Sequence, residues 1–486
     1  MFLNFFFKKN IILIVILISF LFSLAISKYN LDNYDKYNIT SDGVEYHQMV
    51  KADPYRYLAD GYTIKEDLKN GEDFFSTGNS YTKYLPSRIA AAYYYFFDKD
   101  LFNNFIDKKI NIGIHFPYLV IQNIFYFLVV LHLYSSLIKI FKKSICFFIV
   151  SFLCVEPTIN QYHGTFWHES YSFSFQVILI SLILRVPLLR VPLNISNFFF
   201  IGFFLGLLAA QKQYVIFYIV FILIYLFITL KKKNFYKFFI VILGYLIVQL
   251  FIGYNNKIRS GIFYVLPSDT KFALHMDLVE QVISKKLNIT QKEFKIEEGK
   301  ITNQWIKDNL ILYNKEKISR LKDIEYMDYR ESIIAEKDKL KFDDYIKNRT
   351  LNYFFENPTI FFKHIFVKSI HVLLLNPFHI YSDHNFSSSK YYYTTSTHDK
   401  LIPYRIVYSL FIYIICIIGL TVMLTEKKYN IILFFLLSSF YFYIFVSWHG
   451  NTRYFVPVLI YLSLPFGFGA SLIFDSFKNY ISKSDN

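Results

Sequence analysis

The chain is poor in charge. Asp, Glu, Lys and Arg make up 18% of its 486 residues, where a soluble domain carries about 25%. That shortage argues against two or three water-soluble domains in series, which the length alone would allow. Cysteine is scarce too. Cys146, Cys154 and Cys416 all lie in apolar runs, at spacings that suit neither a disulfide framework nor a zinc site, so they read as buried packing residues. There is no Gly-rich loop to cradle a nucleotide phosphate, no repeat at a solenoid period, and no inverted repeat of the kind transporters carry.

What the chain does have is apolar residues, 54% of the total, gathered in runs such as Ile11–Ile26, Tyr214–Leu230 and Ile431–Val446. Each is long enough, or nearly so, to cross ~30 Å of hydrocarbon, which takes about 20 helical residues. The runs lack the alternation of barrel strands, so helices are expected. The first run follows Lys8 and Lys9 like a signal peptide, but Ser27-Lys28-Tyr29 is a poor cleavage site; it reads as an uncleaved first helix. Further spans are expected at 114–138, 145–158, 169–185, 195–210, 213–230, 236–254, 402–424, 430–447 and 454–474. The fold class is therefore an all-α polytopic membrane protein with about ten transmembrane helices.

A formal net charge of +15 would suggest nucleic acid in a soluble protein. Here the positive charge flanks the apolar runs, so no nucleic-acid partner is expected. Alternation puts Lys8/Lys9, Lys139/Lys142/Lys143, Arg185/Arg190, Lys231–Lys233, Lys427/Lys428 and Lys478/Lys483 on one side, with little beyond Lys212 and Arg453 in the short loops opposite. The positive-inside rule then predicts cytoplasmic termini and two large extracytoplasmic segments, 28–112 and 255–401. The expected division is 1–254, a transmembrane module including loop 28–112; 255–401, an extracytoplasmic region; and 402–486, the C-terminal helices. Thr290–Asn348 has helix-like charge patterning. Residues 361–375, apolar but carrying Lys363, His364, Lys368 and His371, read as an amphipathic helix lying at the outer surface.

Four constellations on the predicted outer side carry candidate chemistry. Ser41-Asp42-Gly43-Val44-Glu45 begins the first loop. An acid there can sit near the bilayer surface and accept a proton from a hydroxyl, although Asp-Gly is also a common turn. Tyr81-Thr82-Lys83-Tyr84-Leu85-Pro86-Ser87-Arg88 places cations and phenols where a lipid phosphate would lie; headgroup snorkelling accounts for the same residues. The loop from Glu156 ends in Tyr162-His163-Gly164-Thr165-Phe166-Trp167-His168-Glu169. Glu169 opens a helix, which favours a carboxylate in any case, yet ionisable groups at membrane depth are often functional. His163, His168 and Glu169 do not match the spacing of zinc proteases. The last turn, Trp448-His449-Gly450-Asn451-Thr452-Arg453-Tyr454, puts Arg453 at the mouth of the final helix, where it also suits an interfacial anchor.

In their order along the chain these motifs resemble the GT-C polytopic glycosyltransferases, especially the bacterial protein-mannosyltransferase-like and aminoarabinose-transferase-like branch. Ser-Asp-Gly at 41–43 resembles that family's acidic first-loop motif, and Tyr-Thr-Lys-Tyr-Leu-Pro at 81–86 its Lys/Tyr-Pro stretch. Glu169 matches the acid opening a helix after the second loop. Gly206-Leu-Leu-Ala-Ala-Gln-Lys212 is similar to a small-residue helix end where Arg often replaces Lys212. Asn357-Pro358 resembles the return toward the membrane, and Arg453-Tyr454-Phe-Val-Pro457 the terminal Arg-Tyr-x-x-Pro. Two positions depart from the pattern: Ser87 follows Pro86 in place of a second proline, and the acid nearest Asp42 is Glu45, three residues on.

The resemblance implies transfer of a sugar from a polyprenyl-phosphate donor to a hydroxyl of a glycolipid, polysaccharide or protein, with inversion, on the extracytoplasmic face of a bacterial inner membrane. Asp42 and Glu169 would be catalytic. Lys83, Tyr84, Arg88, Lys212, Arg453 and Tyr454 would bind the donor phosphate, with Glu45, His163, His168 and His449 as auxiliaries. No metal ligand is assigned and no cofactor is required, though a divalent metal is compatible. A transporter or flippase of lipid-linked sugars, or a non-catalytic assembly protein, is the alternative class.

Overall fold

The computed structural model describes residues 9–32, 38–41, 44–47, 53–75, 77, 84–97, 115–188, 194–230, 235–265, 275–311, 313–315, 334–375, 395–447 and 452–484. The first helix, α1, runs Lys9–Asp32, past the expected Ile26. Two short strands follow, β1 (Asn38–Ser41) and β2 (Val44–His47), antiparallel with Ser41 opposite Val44. They are a β element that the all-helical expectation did not include. Two helices complete the first long segment, α2 (Asp53–Lys69) and α3 (Tyr84–Phe97).

The bundle continues with α4 (Phe116–Leu137), α5 (Lys143–Val155), the single turn α6 (Pro157–Asn160), α7 (Glu169–Leu188), α8 (Ile195–Gln211), α9 (Tyr218–Thr229, entered through a 3₁₀ turn) and α10 (Tyr236–Ser260). The predicted span 145–158 stops early at Pro157, which has no N–H for the Leu153 carbonyl, and the Tyr126 hydroxyl bonds that carbonyl; Glu156 caps the new turn, accepting a 2.6 Å bond from the Ile159 N–H. After the second long segment, whose described residues hold four α-helices, come α15 (Thr395–Thr425), α16 (Tyr429–Ser447) and α17 (Thr452–Ser484).

Among the described residues six helices are long and apolar enough to cross a membrane, and four apolar helices are shorter: α5, α8, α9 and α16. These are the ten expected spans. Their surface is inverted relative to a soluble protein. Leu17, Ile18 and Phe22 on α1, Phe227 on α9 and Ile417 on α15 all point outward. In hydrocarbon that arrangement has no cost, whereas unpaired backbone would be expensive. The chain is an integral membrane protein. Its interior belongs to α7 and α17, whose most apolar windows are 89% and 83% buried, against 28% for α1.

Close helix crossings draw the rest around them. α8 meets α10 where Gly202 lies against the Val241 carbonyl and Gly244 against the Phe199 carbonyl. α15 meets α17 where Gly419 lies against Pro465 and Gly469 against Ile415. A Cβ at any of the four would run into backbone, so these are small-residue contacts of the kind that hold membrane helices together.

The second long segment forms its own small core. It comprises α11 (Glu280–Leu287), α12 (Gln291–Asn309), α13 (Lys339–Glu356) and α14 (Pro358–Leu373). α12 starts with a capping box in which Thr290 and Glu293 bond reciprocally. Ile306, Phe342 and Ile346 fill one cluster; Val282, Phe294 and Phe361 fill another. The expected helical pattern at Thr290–Asn348 thus corresponds to α12 and part of α13. α14 covers most of the ambiguous 361–375. It turns Phe362, Phe366 and Ile370 outward and buries Phe361 and Val372. Just beyond its C-terminus Arg405 of α15 donates to the Leu374 and Leu375 carbonyls.

α12 and α13 are joined by a charged knot. Glu298 is buried and takes a two-pronged bond from Arg349, 2.5 Å and 2.6 Å, with His275 at 3.2 Å and the Tyr353 hydroxyl at 3.0 Å. Burial alone would raise this carboxyl, but the hydrogen bonds and charges of His275 and Arg349 outweigh it and hold the group at about 2. A carboxylate lowered on folding stabilises the fold above its unfolded value and loses that contribution as pH falls toward the folded one.

Two outcomes are expected. Acidification from 4.5 toward about 2 should loosen the α12–α13 pair, read from the fluorescence of Trp305, which stacks on Tyr345 at 4.1 Å; Glu298→Gln should flatten that response. Gly419→Leu should lower the thermal midpoint of the detergent-purified protein, costing ~1–3 kcal/mol or more as an overpacking change; an unchanged midpoint would contradict the close crossing.

Candidate functional site

The helix ends meet at one end of the bundle. The C-terminal end of α1, the starts of α4 and α7, and the ends of α5, α8 and α10 are tied there by hydrogen bonds, and the loop 161–168 lies among them. That loop is buried throughout, so its carbonyls need protein partners. α4 supplies two amides from the middle of an apolar helix. Gln122 donates toward the carbonyls of Thr165 at 3.0 Å and His163 at 3.2 Å. Asn123 donates to His163 at 2.9 Å and accepts from the Ser23 hydroxyl of α1. Asn30 of α1 donates to Gly164 at 3.1 Å. The His163 ring packs on Tyr126, centroids 3.9 Å apart, and its Nδ1 lies 2.6 Å from the Ser170 hydroxyl. Burial pushes this imidazole down to about 3, so it is neutral at ordinary pH and acts as a fixed polar spacer.

The loop delivers Glu169 to the first turn of α7. Lys212, one residue beyond α8, places its Nζ 2.6 Å from Glu169 Oε1. The two side chains are 1% and 3% exposed. The positive end of the α7 dipole adds to the ammonium in holding a carboxylate there. His168 Nδ1 lies 3.6 Å from Oε2 of the same carboxylate. Gln211 donates to the His168 carbonyl at 3.0 Å, and Tyr57 of α2 meets the His168 ring edge-on at 4.9 Å. The first long segment therefore touches the loop directly.

A second carboxylate lies in the same loop region. Glu156, buried, receives the Tyr408 hydroxyl of α15 as well as the Ile159 N–H. Arg88 of α3 is committed elsewhere. It donates to Thr77 Oγ1 and O, both at 2.8 Å, and to Asn255 of α10 at 3.4 Å, with its guanidinium over the rings of Phe74 and Tyr84. Asn255 in turn donates to the Phe75 carbonyl at 2.7 Å. Arg88 thus fastens the segment around residue 75 to the bundle.

The structure therefore brings Glu169, His168 and Lys212 together and puts Arg88 and Tyr84 beside each other on α3. Glu45 lies in β2, and Arg453 and Tyr454 in the first turn of α17, with side chains outside the described residues. Asp42, Lys83 and His449 lie outside the described residues. Among the described residues no three His, Cys, Asp or Glu side chains gather as a metal site would require. The sequence reading passed over Gln122, Asn123, Gln211 and the Glu156–Tyr408 pair. Adjacent amides inside an apolar helix were the available signal for the first two.

No family model matches this chain, and no curated protein matches it. Among solved structures, the chain is similar to the archaeal oligosaccharyltransferase AglB from Archaeoglobus fulgidus, determined in complex with an inhibitory peptide and a dolichol-phosphate. The TM-score is 0.52 at 15% identity, over 99% of this chain and 52% of that one. The chain thus spans about half the length of that structure. The likeness is one of fold alone.

A buried ion pair loses more when one partner is removed than when both are. Glu169→Gln or Lys212→Met alone should destabilise the protein by ~3–5 kcal/mol, and the double variant by clearly less. Thermal unfolding in detergent reads this; additive losses would contradict a direct pair.

Proposed function

We propose that the chain is a membrane glycosyltransferase that moves a sugar from a polyprenyl-phosphate-linked donor to an acceptor hydroxyl, with inversion at the anomeric carbon. The observation that carries the reading is the Glu169–Lys212 pair, buried at a helix start on the end of the bundle toward which the first long segment folds. The likeness of fold to an archaeal oligosaccharyltransferase over nearly the whole chain, which we read as a GT-C fold, supports it.

In this reading the acceptor oxygen attacks the anomeric carbon, the bond from that carbon to the phosphate oxygen breaks, and the lipid phosphate departs with the electron pair. Asp42 takes the hydroxyl proton or orients the hydroxyl. Glu169 acts as its partner. Lys212 takes a different part: its ammonium lies 2.6 Å from Glu169 and orients that side chain, which makes it a positioning residue. Arg88 likewise positions α3 and the segment before it. Charge developing on the leaving phosphate would be met by Lys83 and Arg453, assisted by Tyr84 and Tyr454. A divalent metal is compatible with this reading, but no step requires one. The acceptor is a glycolipid, polysaccharide or protein on the extracytoplasmic face of a bacterial inner membrane, with the second long segment shaping the choice.

Membranes containing the wild-type chain, supplied with a polyprenyl-phosphate sugar, should form a new glycoside. Asp42→Asn should lower turnover by about 10²–10⁴-fold, the range for loss of a general base. Lipid moved across the bilayer without any glycosidic bond formed would replace this reading with that of a flippase.

A further inference from the structure

An apolar groove of about 410 Å³ opens on the lipid-facing side of the bundle between α4, α7 and α8. That volume lies within the ~300–1,000 Å³ of ligand sites. On α4 it is lined by Phe125, Leu128 and His132, on α7 by Ile178 and Leu182, and on α8 by Phe204. Leu128 is exposed, so the floor is reached from the membrane.

The residues are ordered by depth. α4 and α7 run in the same direction, since each leaves the site end of the bundle. From Phe125 to His132 is seven residues, about 10 Å of helix rise. Hydrophobic lining therefore fills the groove until, near its far end, His132 supplies an imidazole. Cations cluster immediately past it. Arg185, one turn after Leu182 on α7, is half-buried and anchored through its guanidinium to Ser136 of α4, which also bonds Ser181. Ser136, which holds Arg185, also donates to the His132 carbonyl at 3.1 Å, so the guanidinium is tied within one turn of His132 along α4, and Lys139 follows Ser136 by three residues. Lys139, Lys142 and Lys143 are exposed on the turn that follows. No carboxylate occurs between residues 116 and 155 or between 170 and 211, so nothing acidic on these helices neutralises the cluster.

We infer that this groove is a binding site for an anionic phospholipid, an acyl chain lying against Phe125, Leu128, Ile178 and Phe204 and the headgroup phosphate meeting Arg185, His132 and Lys139. Two features select this occupant: charge complementarity at one end only, and an unbroken apolar lining leading to it. A guanidinium fixed by a serine is preorganised for phosphate. The site lies at the opposite end of the bundle from Glu169 and Lys212, and the inference does not rest on the transferase reading.

The test uses the full-length protein purified in detergent and exchanged into mixed micelles with phosphatidylglycerol or phosphatidylcholine, with retained lipid counted by native mass spectrometry. The expected result is retention of one phosphatidylglycerol in preference to phosphatidylcholine. Arg185→Gln should reduce it by about fivefold, the worth of one basic residue at an anionic headgroup. Leu128→Trp, which fills the groove from an exposed position and leaves the Arg185–Ser136 bond intact, should abolish it. Equal retention of the two lipids, or phosphatidylglycerol retention unchanged in Leu128→Trp, would overturn the proposal. Neither outcome bears on sugar transfer, which is assayed separately.

Discussion

A loop can be buried at the end of a membrane bundle only if its carbonyls are met by protein donors, because neither water nor a helix supplies them. The loop 161–168 meets that condition through four side-chain amides, Gln122, Asn123, Asn30 and Gln211, from α4, α1 and α8. Those bonds do more than stabilise the loop. They fix where α7 begins, and so where Glu169 stands relative to Lys212. Any movement of α1 or α8 would have to break an amide–carbonyl bond in a dry environment, where an unmade bond costs most.

The electrostatics follow from that rigidity. Glu169 and Lys212 come from residues 43 apart in sequence and are removed from water together. Such a pair stabilises little overall, since desolvation offsets most of the attraction. What it gives is definition: the carboxyl of Glu169 is oriented by the Lys212 ammonium. Arg88 and Glu156 have comparable parts, each clamping one segment to another through hydrogen bonds that leave the surrounding helices free to carry apolar side chains.

Much of the architecture was legible in the sequence. The ten apolar runs became helices because their length and composition admit little else in lipid. Glu169 was recognisable as an acid at a helix start, and 361–375 as a helix with two unlike faces. Lateral neighbours were not legible. Lys212 read as a phosphate ligand because spacing says nothing about which helix start lies beside which helix end. The β1–β2 pair was missed although Asp42-Gly43 is a strong turn signal, since strands of four residues carry too little pattern to stand out beside long apolar runs. Gln122 and Asn123 were passed over because two amides hardly disturb the apolar character of α4, while in the folded protein they hold the loop.

The burial of α7 and α17 has a consequence for biogenesis. These two helices form the interior, yet the whole second long segment separates them along the chain. A ribosome delivers α7 to the membrane well before α17 exists. During that interval the faces of α5 and α7 that α17 will cover, Ile149 and Phe152 among them, must be shielded by lipid or by an insertion factor. Assembly is therefore a two-stage affair, with an early set of helices waiting in the bilayer for a late one to complete their packing. Variants that weaken the α15–α17 crossing should appear in cells first as protein degraded during maturation and only second as protein with altered chemistry.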